Sequence, residues 1–131
     1  MLKKTILKPG RVRRINGGFS FIPHRFLSEG FLAALSQQEL VLYFFLVLVS
    51  DRNGVSYYRY DAICGLLKMT LGDYIEARDG LIEKDLLAFD GTVFQVLSLP
   101  VKVSEKAVPK EDAARVMQLI TESLEEVSHD R

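Results

Sequence analysis

Residues 36–99 decide the fold of this chain and read SQQELVLYFFLVLVSDRNGVSYYRYDAICGLLKMTLGDYIEARDGLIEKDLLAFDGTVFQVLSL. Their apolar spacing, capping residues and turn signals predict a helix, a short strand, two helices joined by a three-residue turn, and two strands joined by a tight turn. We expect the helices over 36–50, 60–68 and 70–84, and the paired strands over 86–97. The predicted fold class is mostly α with a small β hairpin, that is, α+β.

Short local signals set the predicted boundaries. Ser36 and Glu39 form the two ends of a capping box, in which each residue satisfies a backbone N–H of the other. Thr70 is a good N-cap for the helix over 70–84. Asp90-Gly91 between two apolar runs is a strong hairpin signal.

Apolar periodicity predicts which side chains form the core. Leu40–Val49 is apolar on every side, so more than one face of this helix must be covered. We expect the inward stripe of the helix over 70–84 to consist of Leu71, Tyr74, Ile75, Leu81 and Ile82, and its outward positions to be Gly72, Asp73, Glu76, Asp79, Gly80 and Glu83. The residues expected to be nearly fully buried are Leu42, Phe45, Leu46, Ile63, Leu67, Leu81 and Val96. Further residues expected to face inward are Phe26, Leu27, Phe31, Leu35 and Leu66.

Composition limits the class of protein. With 131 residues, 48% of them hydrophobic, the chain is long enough for one domain with its own core. The single cysteine, Cys64, excludes an internal disulfide and a cysteine-based zinc site. The longest apolar run, Leu40–Val49, is too short to cross a bilayer. Since the basic start of the chain precedes no apolar run, we expect no secretory signal and a cytoplasmic protein.

Charge is segregated along the chain although it sums to zero. Residues 1–28 hold seven basic and no acidic side chains, residues 29–100 hold five basic and ten acidic, and residues 101–131 hold five basic and seven acidic. A basic arm of this kind often contacts an anionic partner such as nucleic acid. Two alternatives are a solvated tail and an arm that docks on the acidic body of its own chain.

The sequence predicts four segments. Residues 1–18 are a basic arm, residues 19–100 the folded domain, residues 101–109 a linker, and residues 110–131 a C-terminal amphipathic helix. Packing of that last helix on its own domain is one interpretation of its apolar stripe, and a homodimer is the other. The stripe has heptad spacing at Ala113, Met117, Ile120, Leu124 and Val127, and the last four are the candidate dimer residues.

Residues 54–100 resemble the winged helix-turn-helix superfamily. The most diagnostic part is LIEKDLL at 81–87, which resembles the usual end of the third helix, where polar residues, a turn and two apolar residues follow a leucine. Upstream, FIPHRFL and LSQQEL are similar to the N-terminal domain of bacterial replication-initiation (primosomal) proteins and to helix-turn-helix proteins of mobile elements. The resemblance implies a DNA-associated protein whose third helix enters the major groove, with the hairpin as the wing.

The sequence departs from that pattern where the DNA would lie. Four of the six expected outward positions of the third helix are carboxylates, which DNA phosphates would repel. The wing offers no lysine or arginine from Leu86 to Pro100, and Arg78 stands where relatives have an apolar residue, so we expect it to be half-buried.

Two functions remain. A DNA-associated accessory or regulatory protein would use the arm, as minor-groove arms do, and the candidate phosphate contacts are Lys8, Arg11, Arg13, Arg14 and Arg25. The alternative is a protein-interaction module whose acidic third helix meets a basic partner, with candidate residues Asp73, Glu76 and Asp79.

Enzyme chemistry has no motif in this sequence. Gly17-Gly18 alone does not make a phosphate-binding loop, and His24 and His129 lie far apart. Cys64 fits a small core residue better than a nucleophile. We therefore expect no catalytic residues, no metal and no cofactor.

Overall fold

The computed structural model describes residues 3–103, and within this range the chain is α+β. A 3₁₀ turn, Pro9–Arg11, lies in the arm. Four helices follow: α1 (Arg25–Ser28), α2 (Gln37–Val49), α3 (Tyr60–Leu67) and α4 (Leu71–Glu83). Three short strands complete the fold: β1 (Val55–Ser56), β2 (Leu87–Phe89) and β3 (Phe94–Val96). The predicted order of elements over 36–99 is the order found.

The strands form one antiparallel sheet in the order β1-β3-β2. Leu87 lies opposite Val96 and Phe89 opposite Phe94 in the hairpin, so the predicted pairing is confirmed. Val55 lies opposite Gln95 on the other side of β3. The short strand after α2 therefore joins the hairpin as a third strand.

Side-chain caps set the first residues of α2 and α4, as expected. The Ser36 hydroxyl accepts from Glu39 N at 3.1 Å, and the Glu39 carboxylate accepts from Ser36 N at 2.8 Å. Thr70 Oγ1 accepts from Asp73 N at 3.1 Å at the start of α4. At the hairpin tip, Asp90 Oδ1 accepts the N–H groups of Val93 and Thr92 at 2.7 and 2.8 Å, and these bonds lower the pKa of its carboxyl.

The core lies between α2, α4 and the hairpin. Leu42, Leu46, Ile63, Leu81 and Phe94 are fully buried, and Phe45 is 8% exposed. Phe26 of α1 stacks on Tyr43 of α2, with ring centroids 4.9 Å apart. Phe31 is buried as well, so the segment before α2 covers one face of that helix.

Several predicted core positions are less buried than expected. Leu27, Leu35, Leu67 and Val96 are only partly buried. Leu66, Leu71, Ile75 and Ile82 are 62, 51, 38 and 39% exposed, so their assignment to the inward face was wrong. Tyr74 and Leu81 are buried as predicted, and the structure adds Ala77 to the buried stripe of α4. Ala77 and Gly80 are small, which lets α2 approach α4 closely.

A buried ion pair joins the start of α2 to the end of α4. Glu39 accepts from the Lys84 ammonium, and the two side chains are 8 and 4% exposed. Gly80 was predicted to be an outward position, but it faces this ion pair. A Cβ at residue 80 would overlap the Glu39 carboxylate, so glycine is required by the close approach.

The described residues end just inside the predicted linker, at Val103. Val103 packs against the core at the start of the predicted linker. The predicted C-terminal helix, including Met117, Ile120, Leu124 and Val127, lies outside the described residues. Among residues 3–103, the helices are too short or too polar to traverse a lipid bilayer.

Candidate nucleic-acid interface

The arm presents a cluster of positive charge to solvent. Four of the five candidate phosphate contacts lie here, with Arg11 in the 3₁₀ turn and Lys8 at its N-cap. Within residues 3–103 the arm cations form no ion pair with a carboxylate, and no acidic residue lies between residue 3 and Arg25. The arm cations without such a pair, all of them exposed, are Lys3, Lys4, Lys8, Arg11, Arg13 and Arg14.

Arg25 has a different environment from the arm cations. Its guanidinium donates to the Glu29 carboxylate at 3.0 Å from both Nε and Nη2. It also donates to the carbonyls of Leu99 and Pro100, at 3.3 and 2.7 Å, and lies 5.6 Å from the ring centroid of Phe31. These contacts tie α1 to the chain leaving the hairpin, so we assign Arg25 a structural role.

Helix α4 presents carboxylates without free cations. Glu76, Asp79 and Glu83 are exposed, and Asp73 is half-buried at the first turn. The only basic residue within α4, Arg78, is half-buried, as predicted.

The Arg78 guanidinium contacts two aromatic rings and one carboxylate. Its central carbon lies 5.6 Å from the ring centroid of Tyr74 and 5.3 Å from that of Phe89. The side chain also donates to Asp79 at 3.1 Å. These contacts hold Arg78 against the hairpin and against Asp79, so among residues 3–103 Glu76 and Glu83 of the acidic face have no ion pair.

The same exposed side of α4 carries apolar residues. Leu71, Ile75 and Ile82 lie among the carboxylates and are 51, 38 and 39% exposed. A helix that reads base edges needs polar or basic side chains on this side. The mixture of apolar and acidic residues is closer to that of a protein-docking surface.

A groove of about 730 Å³ lies between the end of the arm and the body of the domain. Residues 17–21 form one wall. The rest is formed by Pro23 and Arg25, by Tyr43 and Val47 of α2 with its C-cap Ser50, by the turn 51–54 and by residues 96–99. Phe19 and Phe21 line the groove and are 68 and 72% exposed, which is unusual for phenylalanine.

Tyr43 is the most buried polar side chain of the groove wall. The residue is 3% exposed, and burial raises the pKa of its phenol above the ordinary value of 10.0. The phenol is therefore protonated at neutral pH, and its hydroxyl is available as a donor.

The residues considered for other chemistry are scattered. Cys64 is half-buried on α3, and its Sγ lies 3.9 Å from the Thr70 carbonyl. His24 is exposed at the N-cap of α1. Over residues 3–103 no three His, Cys, Asp or Glu side chains come together as a metal site would require.

Sequence reasoning missed two groups of residues here. Phe19 and Phe21 were not among the candidate residues, although an alternating Phe-Ser-Phe after Gly17-Gly18 is a signal of a chain with one aromatic side. Glu39 was recognised only as a capping residue, although Gly80 inside a predicted helix hinted at a close contact.

Searches for relatives found no match: no family model, no curated protein and no solved structure is similar to this chain.

Proposed function

We propose that this protein is a DNA-associated winged helix-turn-helix protein, an accessory or regulatory factor in replication, transcription or a mobile element, that binds DNA through its arm. The observation that carries the proposal is the set of six exposed arm cations, none of which forms an ion pair with a carboxylate of residues 3–103. DNA-binding affinity arises largely from cations that neutralise phosphates and release counterions. The arm supplies these cations, whereas α4 and the hairpin do not.

The arm also explains how a domain with an acidic third helix can associate with DNA. Flexible basic arms reach the DNA backbone or the minor groove independently of a recognition helix. Contacts of this kind are mostly insensitive to sequence. We therefore expect the binding to be largely non-specific and steeply dependent on salt.

The salt dependence is the first prediction. If all six arm cations contact phosphates, duplex affinity falls about 10³-fold between 50 and 200 mM salt. The double variant Arg13→Gln/Arg14→Gln should lower the slope of log K against log salt by about 2. Fluorescence anisotropy with a labelled 20-base-pair duplex measures both quantities.

A matched control removes two positive charges from the body of the domain instead of from the arm. Arg59→Gln/Lys68→Gln also removes two exposed cations but lies outside the arm. It should leave the slope within about 0.5 of the wild-type value, since neither residue is expected to contact a phosphate. Equal losses in the two double variants would contradict binding through the arm.

A second candidate function is docking of a basic protein on α4. The specific observation is the exposed apolar residues Leu71, Ile75 and Ile82 between the carboxylates. A cationic amphipathic helix would match both features, and Asp73, Glu76 and Asp79 would be its partners.

Reversing two of these charges separates the two functions. Asp73→Lys/Glu76→Lys should strengthen binding to DNA, because it removes repulsion on that side of the domain. The same variant should lose binding to a synthetic lysine- and leucine-rich amphipathic helix, measured by calorimetry. If wild type and variant bind that peptide alike, the second function fails.

We further propose that the chain forms a homodimer. Val41, Phe44 and Leu48 lie on one exposed face of α2 and are 37, 58 and 59% exposed. These residues are spaced by three and four, so they form a continuous apolar stripe. The stripe can pack against the predicted C-terminal helix of a second copy, through Met117, Ile120, Leu124 and Val127.

Light scattering tests the dimer. The full chain should give about twice its 14.8 kDa mass at micromolar concentration. Phe44→Lys/Leu48→Lys should yield a monomer, whereas Leu66→Lys, at an exposed apolar position elsewhere, should not. A wild-type chain that stays monomeric at high concentration would contradict the dimer and favour packing of the C-terminal helix on its own domain.

A further inference from the structure

We infer that the nucleic acid this protein binds is single-stranded, with bases stacked on Phe19 and Phe21 at the groove beside α2. The inference rests on the proposed function, because the arm must hold the phosphates of the same strand. It adds the class of nucleic acid and the residues that select it.

The segment that carries the two rings is fixed to the body. The Ser20 hydroxyl donates to the Leu48 carbonyl at the end of α2, at 3.2 Å. The Ser20 side chain is thus turned towards the helix, while Phe19 and Phe21 on either side of it belong to the residues that line the groove and are 68 and 72% exposed. Alternate residues of an extended chain project to opposite sides, so one bond to Ser20 orients both rings.

Exposed rings of this kind suit unpaired bases. Every base has a flat face that stacks on an aromatic side chain, and single-strand binding proteins combine such rings with a positively charged path for the backbone. In a duplex the base faces are covered by their neighbours, and only base edges are accessible in the grooves. Phe19 and Phe21 therefore contribute far more to binding a single strand than to binding a duplex.

The arm and the rings are close enough to act on one strand. Four residues lie between Arg14 and Phe19, so their Cα atoms are at most about 18 Å apart in an extended chain. Gly17, with φ of 72°, and Gly18 lie between them and allow the chain to turn from one to the other.

The groove behind the rings has the size and polarity to hold a nucleotide. Its volume of about 730 Å³ is within the range of ligand sites, roughly 300–1,000 Å³. Arg52 and Asn53 offer donors on the far side. The one carboxylate there, Asp51, is engaged in its own turn, where Oδ1 accepts from Asn53 N and Val55 N at 2.8 and 3.0 Å.

Charge argues against the face of α4 as a second contact for a duplex. A duplex wide enough to contact the arm and α4 together would meet Glu76, Asp79 and Glu83. A single strand that follows the arm into the groove avoids this face, because the groove is lined by α2, the turn 51–54 and residues 96–99.

Anisotropy titrations with a labelled 15-nucleotide thymidine strand and a 15-base-pair duplex test the inference. Wild type should bind the single strand at least tenfold more tightly than the duplex at the same salt. Phe19→Ala/Phe21→Ala should weaken single-strand binding by at least tenfold, as expected for the loss of two stacked bases. Duplex binding should stay within about twofold and the salt slope unchanged, because the arm cations remain.

A matched control removes exposed aromatic rings elsewhere. Tyr57→Ala/Tyr60→Ala alters rings that are 61 and 51% exposed and do not line the groove. It should leave single-strand binding within about twofold, since it leaves the stacking rings in place. An equal loss of single-strand affinity in this control would show that any exposed aromatic ring contributes, whether or not it lines the groove, and would overturn the inference.

A tryptophan variant gives an independent readout. The chain contains no tryptophan, so Phe21→Trp introduces a single reporter at the proposed stacking position. Its fluorescence should be quenched by the thymidine strand and not by the duplex. Quenching by neither would overturn the inference.

The remaining outcomes separate the inference from the proposed function. Tighter duplex binding, or unchanged single-strand binding in Phe19→Ala/Phe21→Ala, would overturn the inference. The proposed function would stand in either case if Arg13→Gln/Arg14→Gln still lowered the salt slope. No binding of either nucleic acid at 50 mM salt would overturn both.

Discussion

Lys84→Met should lower the free energy of unfolding by about 3–5 kcal/mol, because it leaves the Glu39 carboxylate buried without its partner. Both side chains of the pair are more than 90% buried, so water cannot replace the lost ammonium. Equilibrium urea unfolding measures the change. As a control, Arg59→Met breaks an exposed pair with Asp61, whose side chains are 69 and 63% exposed, and should cost less than about 1 kcal/mol.

Substitution of Gly80 tests how closely α4 packs against the ion pair. Gly80→Ala should destabilise the wild-type domain, because the new Cβ would overlap the Glu39 carboxylate. In a Glu39→Ala/Lys84→Met background the overlap is gone, and the same change should stabilise α4 by up to about 1 kcal/mol, the usual helical advantage of alanine over glycine. A loss below about 1 kcal/mol in Lys84→Met, or an equal effect of Gly80→Ala in both backgrounds, would contradict the buried contact.

Phe45→Ala should also cost about 3–5 kcal/mol, as expected for truncation of a large core side chain. Phe45 is 8% exposed and meets the edge of Tyr58 at 80°, with ring centroids 5.2 Å apart. Removing the ring deletes this contact and leaves a cavity beside α2. Urea unfolding of the variant measures the loss.

Phe21→Ala is the matched control for that measurement. It removes the same ring from a position that is 72% exposed, so the free energy of unfolding should change by no more than about 0.5 kcal/mol. A loss below about 1 kcal/mol for Phe45→Ala would show that α2 is rotated from the orientation described here.

Local signals in the sequence were enough to predict where the elements begin and end. The capping box at Ser36 and Glu39 and the turn at Asp90-Gly91 act through nearby backbone groups, and the structure contains both. Pairing of β2 with β3 followed from the same turn. Such features depend on a few neighbouring residues, so one sequence is sufficient to predict them.

The orientation of α4 was harder to predict, because hydrophobicity alone does not specify its buried face. Leu71 and Ile75 were expected inward since they are apolar, whereas the structure buries the stripe through Ala77 and brings Gly80 against Glu39. Close helix packing favours small residues at the contact, and the partner helix decides which ones are used. A long-range ion pair such as Glu39 with Lys84 leaves no local pattern in the sequence.

The candidate interface was predictable only where it depends on residues close together in the sequence. Clustering of Arg11, Arg13 and Arg14 away from acidic residues is a property of the sequence, and the structure places all three side chains in solvent. The structural role of Arg25 depends on carbonyls 74 and 75 residues away, so no local pattern reveals it. The exposure of Phe19 and Phe21 likewise depends on how Ser20 is held against α2.

The most direct test of the central claim, that the arm and not α4 binds nucleic acid, is a backbone amide chemical-shift titration. A ¹⁵N-labelled chain would be titrated with the 15-nucleotide thymidine strand at low salt. Binding through the arm predicts shifts over residues 3–21 and the turn 51–54, and none along the exposed face of α4 from Leu71 to Glu83. Shifts concentrated in α4 and the hairpin, with a silent arm, would contradict it.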